Sequence, residues 1–301
     1  MVDLSKLRIK GRLFKNIPLR EFTSFRIGGP ADNAIIPKDV EDIKIILSYL
    51  NGKNIPYLIL AGGTNILIMD EGVREVVIKL PSNLNEIEMI DDERIYVEAQ
   101  VRIDRLLKFS IDRSLSGIEF LSGIPGRFGG AIRMNAGTYG GDIGSVVESI
   151  KIVDREGKVN TIYKKDFRFI YRELFINEGE VIIGGIIKLN KGNKEDIVRK
   201  IKEIRDYRKK TQPLSYPSAG SIFKNSSGLK AGKLIEEVGL KGFQIGMAKV
   251  SDIHANFIIN LGGAKADEVI RIMKFIQRRV YEYKGINLIP EIKIWGGNPL
   301  E

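Results

Sequence analysis

The chain predicts a mixed α+β fold of two or three domains, and three observations carry that expectation. Apolar residues switch between helical and strand spacing along the length of the chain. Two glycine-rich loops, AGGTNILI (61–68) and the stretch from Ser122 to Gly141 with seven glycines in twenty residues, punctuate a strand-rich first part. A Pro/Ser/Gly segment, TQPLSYPSAGS (211–221), then marks a domain boundary before a compact α/β unit of roughly 80 residues. At 301 residues, 43% hydrophobic and 29% charged, the chain can bury more than one ordinary core.

Taken in order, Asp39 is placed to cap a helix whose Val40, Ile43, Leu47 and Leu50 share a face and which ends near Gly52. YLILA (57–61) reads as a buried strand, and REVVIKL (74–80) and RIYVEAQV (94–101) as further strands. A helix is expected over Arg102–Ser114 with Leu106, Leu107 and Ile111 inward. VVESIKIVDREGKVNTIY (146–163) reads as a hairpin with Arg155–Gly157 at its tip, and EVIIGGIIKL (180–189) as another strand. The run from Lys194 to Lys210 interleaves acids and bases and sets Ile197, Ile201 and Ile204 on one face, the pattern of a solvated amphipathic helix. Beyond the boundary come a short helix (AGKLIEEVG, 231–239), a strand (HANFIIN, 254–260), a long amphipathic helix from Ala266 to about Lys284 and a last strand (EIKIW, 291–295).

Composition excludes much enzyme chemistry. There is no cysteine and His254 is the single histidine, so disulfides, thiol nucleophiles and thiolate metal sites are ruled out, and no metal site is expected. His254 leads into an apolar strand, where a hydrogen-bonded structural residue is expected, and Trp295 is read as packing. The N-terminus lacks a signal-peptide apolar core and no apolar run could span a bilayer, so a soluble cytoplasmic protein is expected, without a membrane partner. A net charge of +10 suits a nucleic-acid binder, but the charges are dispersed and no reading motif accompanies them. An anionic small molecule is the other reading of the excess.

Glycine loops bring backbone N–H groups close to phosphate oxygens because no Cβ intervenes. Neither loop fits the nucleoside-triphosphate or the dinucleotide fingerprint, and either could be only a tight turn between packed strands. Two such loops, with Asn65 and Asn135 offering side-chain hydrogen bonds, point towards a large phosphorylated cofactor.

The motif series TSFRIGGPA (23–31), AGGTNILI, GIPGRFGGAIRMNAGTYGG (123–141), YR (171–172), YPSAGSIFKN (216–225), HANFIIN and PEI (290–292) resembles, in order and spacing, that of the UDP-N-acetylenolpyruvoylglucosamine reductase family, in its compact type. The resemblance implies an α+β fold: a vanillyl-alcohol-oxidase-type FAD-binding region of two subdomains (1–70 and 71–205), a smaller α/β substrate-binding domain (206–289) and a C-terminal segment (290–301) returning to the FAD region. It implies bound FAD, held by Gly62, Gly63, Thr64 and Asn65, by Gly123, Ile124, Pro125, Gly126, Gly129 and Gly130, and by Asn135, Ala136 and Gly137. It implies NADPH as co-substrate and a UDP-sugar as substrate, whose enolpyruvyl ether is reduced to a lactyl ether in peptidoglycan precursor synthesis, by an enzyme working as a monomer.

The same resemblance assigns the chemistry. Reduction places negative charge beside the substrate carboxylate, which preorganised donors must stabilise. Arg172 matches the cation, Glu291 an acid kept protonated by burial, and Ser221 the proton donor. Tyr171, Lys224 and Asn225 match substrate-contacting positions. Two departures stand out. YRELF has a shorter spacing after the arginine than the family pattern, and Arg127 and Arg133 stand where smaller or uncharged residues are expected, so they either point outward or add a phosphate contact. Two rivals remain: another FAD-dependent oxidoreductase of the same fold, acting on a hydroxy acid or sugar, and a basic nucleic-acid-binding protein without enzymatic activity.

Overall fold

In the computed structural model the described residues are 4–138, 140–225, 228–297 and 299. They divide into two compact units, residues 1–14, 33–62 and 75–207 in the first and 15–32, 63–74 and 208–301 in the second.

The first unit holds two hydrophobic cores. One lies beneath helix α1 (Val40–Gly52), which starts where Asp39 accepts the Asp42 amide at 3.0 Å. Its Ile43, Ile46, Leu47 and Leu50 pack with Ile35, Val76 and Ile78. The strands Tyr57–Leu60, Val76–Lys79 and Pro30–Ile36 run parallel here, with Val76–Lys79 in the middle. Buried on both faces, that middle strand reads as an unbroken VVI rather than an alternating pattern. Asp42 is almost fully buried, and its carboxylate accepts the amides of Lys10, Gly11 and Lys38 at 2.9, 2.7 and 2.8 Å.

The second core supports an antiparallel sheet in the order Val159–Tyr163, Val147–Val153, Val181–Lys188, Arg94–Glu98, Ile87–Met89. The expected hairpin forms, and its tip closes through the Asp154 amide on the Lys158 carbonyl, with Gly157 at φ +82°. Helices α2 (Ile103–Asp112), α3 (Phe128–Arg133) and α4 (Lys194–Thr211) are present, and the expected face of α4 buries Ile197, Ile201 and Ile204. Among the elements not expected are α3 inside the second glycine loop, a hairpin of Arg168–Ile170 with Glu173–Phe175, and the strands Pro30–Ile36, Ile87–Met89, Gln244–Ile245 and Ala248–Val250. Glycine pairs and a charged RELF segment carry no helical or strand periodicity.

In the second unit helices α5 (Ala231–Glu237) and α6 (Ala266–Lys284) pack on a small antiparallel sheet of Gln244–Ile245, Ala248–Val250 and Ile258–Asn260. The last strand, Lys293–Trp295, lies parallel to Ile66–Ile68. The strand expected over 254–260 begins only at Ile258, because the Phe257 amide turns back to the His254 carbonyl and Ser251 Oγ accepts the amides of Ile253 and His254. His254 is half-buried against Phe257, its Nδ1 accepting the Asn256 amide at 3.2 Å, as a structural histidine would. No helix among the described residues is long and apolar enough to cross a membrane, and no group of three metal-ligating side chains occurs among them.

Asp42→Asn replaces an acceptor of three amides by a group that also carries N–H donors, so urea unfolding should show a loss of about 2 to 3 kcal/mol, the range for hydrogen bonds to a charged group. Burial holds His254 below its usual 6.5. The unfolded chain therefore binds the proton first on acidification, and stability that is complete above 6.5 falls as pH drops below it. Thermal unfolding should show a steeper acid loss for the wild type than for His254→Gln.

Candidate functional site

In the first unit the two glycine loops meet backbone to backbone. A Cβ on Gly62 would stand 3.3 Å from the Gly126 Cα and from the Arg127 Cγ, and one on Gly129 only 2.8 Å from the Ala99 Cβ. Gly126 has φ +128°, closed to side chains, and the amides of Phe128 and Gly129 bond to the carbonyls of Val101 and Ala99. Among the described residues the N–H groups of Gly62 and Gly126 donate to no protein acceptor. Next in the chain, Gly63 has φ +62°, and a Cβ there would strike the Phe22 carbonyl oxygen. Ile124 is half-buried, while Gly123 and Pro125 are exposed.

Cations border this turn. Lys79, at the end of its strand, donates to the Ala61 carbonyl at 2.7 Å, and Arg127 Nη1 donates to the Gln100 carbonyl at 3.0 Å. Partial burial and the Arg127 guanidinium press the Lys79 ammonium down to about 8. Gln100 is 1% exposed and its Nε2 has no partner. Of the two sequence alternatives for the extra arginines, Arg133 is exposed, whereas Arg127 is half-buried against the glycine turn. Lys79 and Gln100 carried no sequence signal, since a strand-ending lysine and a turn glutamine are unremarkable in isolation.

The Asn135 side chain works inside the protein. Buried at φ +40°, it donates from Nδ2 to the Ile170 carbonyl at 2.9 Å and accepts the Gly144 amide at 3.0 Å. The first bond holds the hairpin whose two-residue loop is Tyr171–Arg172, and the second ties Asn135 to the turn at Ile143–Ser145. Arg133 Nη1 adds a bond to the Leu174 carbonyl at 3.2 Å. Arg172 sits at φ +61°, a conformation that costs a residue with a Cβ of order 1 kcal/mol or more, and strain of this kind gathers at functional sites. Its Cζ is 5.1 Å from the Tyr171 ring centroid, with Tyr171 exposed. The shortened YRELF spacing thus makes a tight hairpin. Ala136 and Gly137 follow, and Gly137 pairs with Asp142.

In the second unit Ser221 and Glu291 lie on neighbouring segments. Ser221 bridges to Phe257, Phe223 bridges to Pro290, and the Glu291 amide donates to the Ile222 carbonyl at 2.7 Å. Asn256, buried, locks this arrangement by accepting the Phe223 amide at 2.9 Å and donating to the Phe223 carbonyl at 2.8 Å. Asn65 Nδ2 donates to the Glu291 carbonyl at 3.1 Å, and the Lys293 amide to the Asn65 carbonyl at 3.0 Å. Asn65 therefore positions the backbone of the candidate acid. Thr64, beside it, lies in the same half-buried turn. Lys224 is half-buried with its amide on the Ile289 carbonyl, and Asn225 accepts the Ala231 amide at the start of α5.

The residues around Gly62 fit a phosphorylated cofactor: open amides, two cations without a carboxylate partner among the described residues, and a buried amide donor. Comparison with known proteins agrees. A family model described as FAD binding domain matches residues 31–163, and one described as UDP-N-acetylenolpyruvoylglucosamine reductase, C-terminal domain, matches 212–295. The chain is 42% identical over 298 residues to UDP-N-acetylenolpyruvoylglucosamine reductase of Caldanaerobacter subterraneus subsp. tengcongensis, covering 98% of each chain. It is 40% identical to that of Syntrophomonas wolfei, covering 95% of each. The crystal structure of the UDP-N-acetylenolpyruvylglucosamine reductase of Thermus caldophilus superposes with a TM-score of 0.81 at 33% identity, covering 96% of this chain and 100% of that one. With its α+β fold, the chain belongs to the UDP-N-acetylenolpyruvoylglucosamine reductase family and is an FAD-dependent oxidoreductase using NADPH.

Proposed function

We propose that Ser221, Arg172 and Glu291 carry the reduction of UDP-N-acetylglucosamine enolpyruvate to UDP-N-acetylmuramate, with residues 1–205 holding the flavin and 206–289 receiving the substrate. The observation that supports this best is the locked pairing of the Ser221 and Glu291 segments through the Glu291 amide and Asn256. Bound FAD supplies the hydride, which it takes from NADPH.

The protein's own part is charge and proton management. The planar Arg172 fork holds the substrate carboxylate through paired N–H donors. As the carbon beside that carboxylate becomes negative, the Glu291 carboxyl shares the charge through a hydrogen bond, worth most in a site without water. Ser221 Oγ gives its proton to the same carbon. A hydroxyl is a weak acid, but a carbanion-like centre is a strong base, so placement decides the rate. Tyr171 covers the substrate, and Lys224 and Asn225 contact it. We place the enzyme in the cytoplasm, where nucleotide sugars and NADPH are found, acting as a monomer in peptidoglycan precursor synthesis. The near-full-length identity to reductases of one name favours this over a hydroxy-acid or sugar oxidase of the same fold.

In stopped flow, Ser221→Ala should leave flavin bleaching by NADPH at the wild-type rate and slow reoxidation by the enolpyruvyl substrate by about 10²-fold or more. Unimpaired reoxidation would remove Ser221 from the mechanism. Glu291→Gln should likewise slow reoxidation by about 10²-fold with little change in bleaching. An equal loss in both half-reactions would make Glu291 structural.

A further inference from the structure

The chemistry assigned above uses neither Lys79 nor Arg127, yet the fold brings these two cations together at the junction of the glycine loops. They come from different elements. Lys79 ends the strand paired with Tyr57–Leu60 and reaches the Ala61 carbonyl, one residue before Gly62. Arg127 follows Gly126, and its Cγ stands where Gly62 has no side chain. Like charges so placed repel, and among the described residues neither has a carboxylate partner. Partial burial first, and then the Arg127 charge, hold Lys79 down to about 8. A half-buried pair of like charges is costly, and an anion of matching charge offsets that cost.

What surrounds the pair says which anion. The amides of Gly62 and Gly126 have no acceptor within the described protein, and Gln100, whose carbonyl holds Arg127, is buried with an unsatisfied Nε2. N–H groups, a guanidinium and an ammonium converging on a turn without side chains suit phosphate oxygens, and two cations match the two charges of a diphosphate.

We propose that Lys79 and Arg127 form a cationic clamp on the diphosphate of bound FAD, added by this chain to the contacts its glycine turns make through main-chain amides. The inference rests on FAD being the cofactor. It gives the basic residue in GIPGRFGG a ligand role and draws on a lysine in a strand with no motif. A UDP diphosphate has the same chemistry, but the clamp borders the two flavin loops, so FAD is the occupant.

The test is flavin retention by the purified holoenzyme, read as recovered flavin fluorescence on dilution at increasing KCl. Lys79→Met and Arg127→Ser should each raise the FAD dissociation constant about 10-fold at low salt, the size of one charge-assisted hydrogen bond, and flatten its dependence on KCl. Lys79→Arg and Arg127→Lys, which keep the charge, should retain most of the salt dependence. Unchanged retention and slope in both neutral variants would overturn the clamp. So would weakened retention with the wild-type slope, because that is the signature of a packing role. A raised KM for the UDP-sugar with unaltered FAD retention would overturn it as well, moving the pair to the substrate. Wild-type protein that holds no FAD would instead sink the cofactor assignment itself, a result distinguishable from the others because it precedes any substitution. Thermal unfolding of Lys79→Met serves as the folding control and should match or exceed the wild type, since removing a crowded cation relieves the repulsion from Arg127.

Discussion

Everything in the first unit's candidate site depends on two backbones being allowed to touch at Gly62. A methyl group there would press on Gly126 and Arg127 at 3.3 Å, tighter than an ordinary contact, and would push the second loop away. That contact fixes where the amides of both turns point. It also draws Arg127 inward and sets it beside Lys79, so the electrostatics of the site follow from a steric fact. Glycine here serves proximity as much as backbone conformation. Gly63, the next residue, answers the other demand with its positive φ.

Asparagines do for the reactive groups what glycines do for the turns. Asn135 ties the hairpin carrying Arg172 to the turn at Gly144, Asn256 clasps Phe223 through two bonds, and Asn65 holds the Glu291 carbonyl. Asn65 bonds the backbone of Glu291 and Asn135 that of the hairpin carrying Arg172, so both are positioning residues. An Asn offers a donor and an acceptor on one short rigid stem, so it can imitate a strand neighbour where no strand runs. Arg172, held at positive φ by such a frame, has little freedom to relax into an ordinary turn.

Much of this was legible in the sequence, for identifiable reasons. The Asp39 cap, the α4 stripe of Ile197, Ile201 and Ile204 and the 154–158 turn rest on local chemistry that tertiary contacts did not override. Ser221 and Glu291 were nameable because their motifs are contiguous, and their pairing across about seventy residues of chain was invisible because long-range pairing leaves no local periodicity. Helix α3 escaped notice since adjacent glycines disfavour helix, and it exists because Phe128 and Ile132 are buried in the core and its first amides bond to Val101 and Ala99. The Asn65 and Asn135 side chains also make internal hydrogen bonds, which composition and spacing do not encode.

The two cations make the sharper point about reading charge. A net charge of +10 says little about function while its members are dispersed over exposed surface, some of them in ion pairs such as those along α4. Lys79 and Arg127 differ from that background in lacking a carboxylate among the described residues while being partly withdrawn from water. Solvent screens an exposed lysine at little cost, so its position carries no information. A half-buried pair of like sign has a definite energetic cost in the free protein, and a ligand that neutralises it returns that cost as affinity. The clamp's contribution to binding is therefore stored in the flavin-free fold as repulsion.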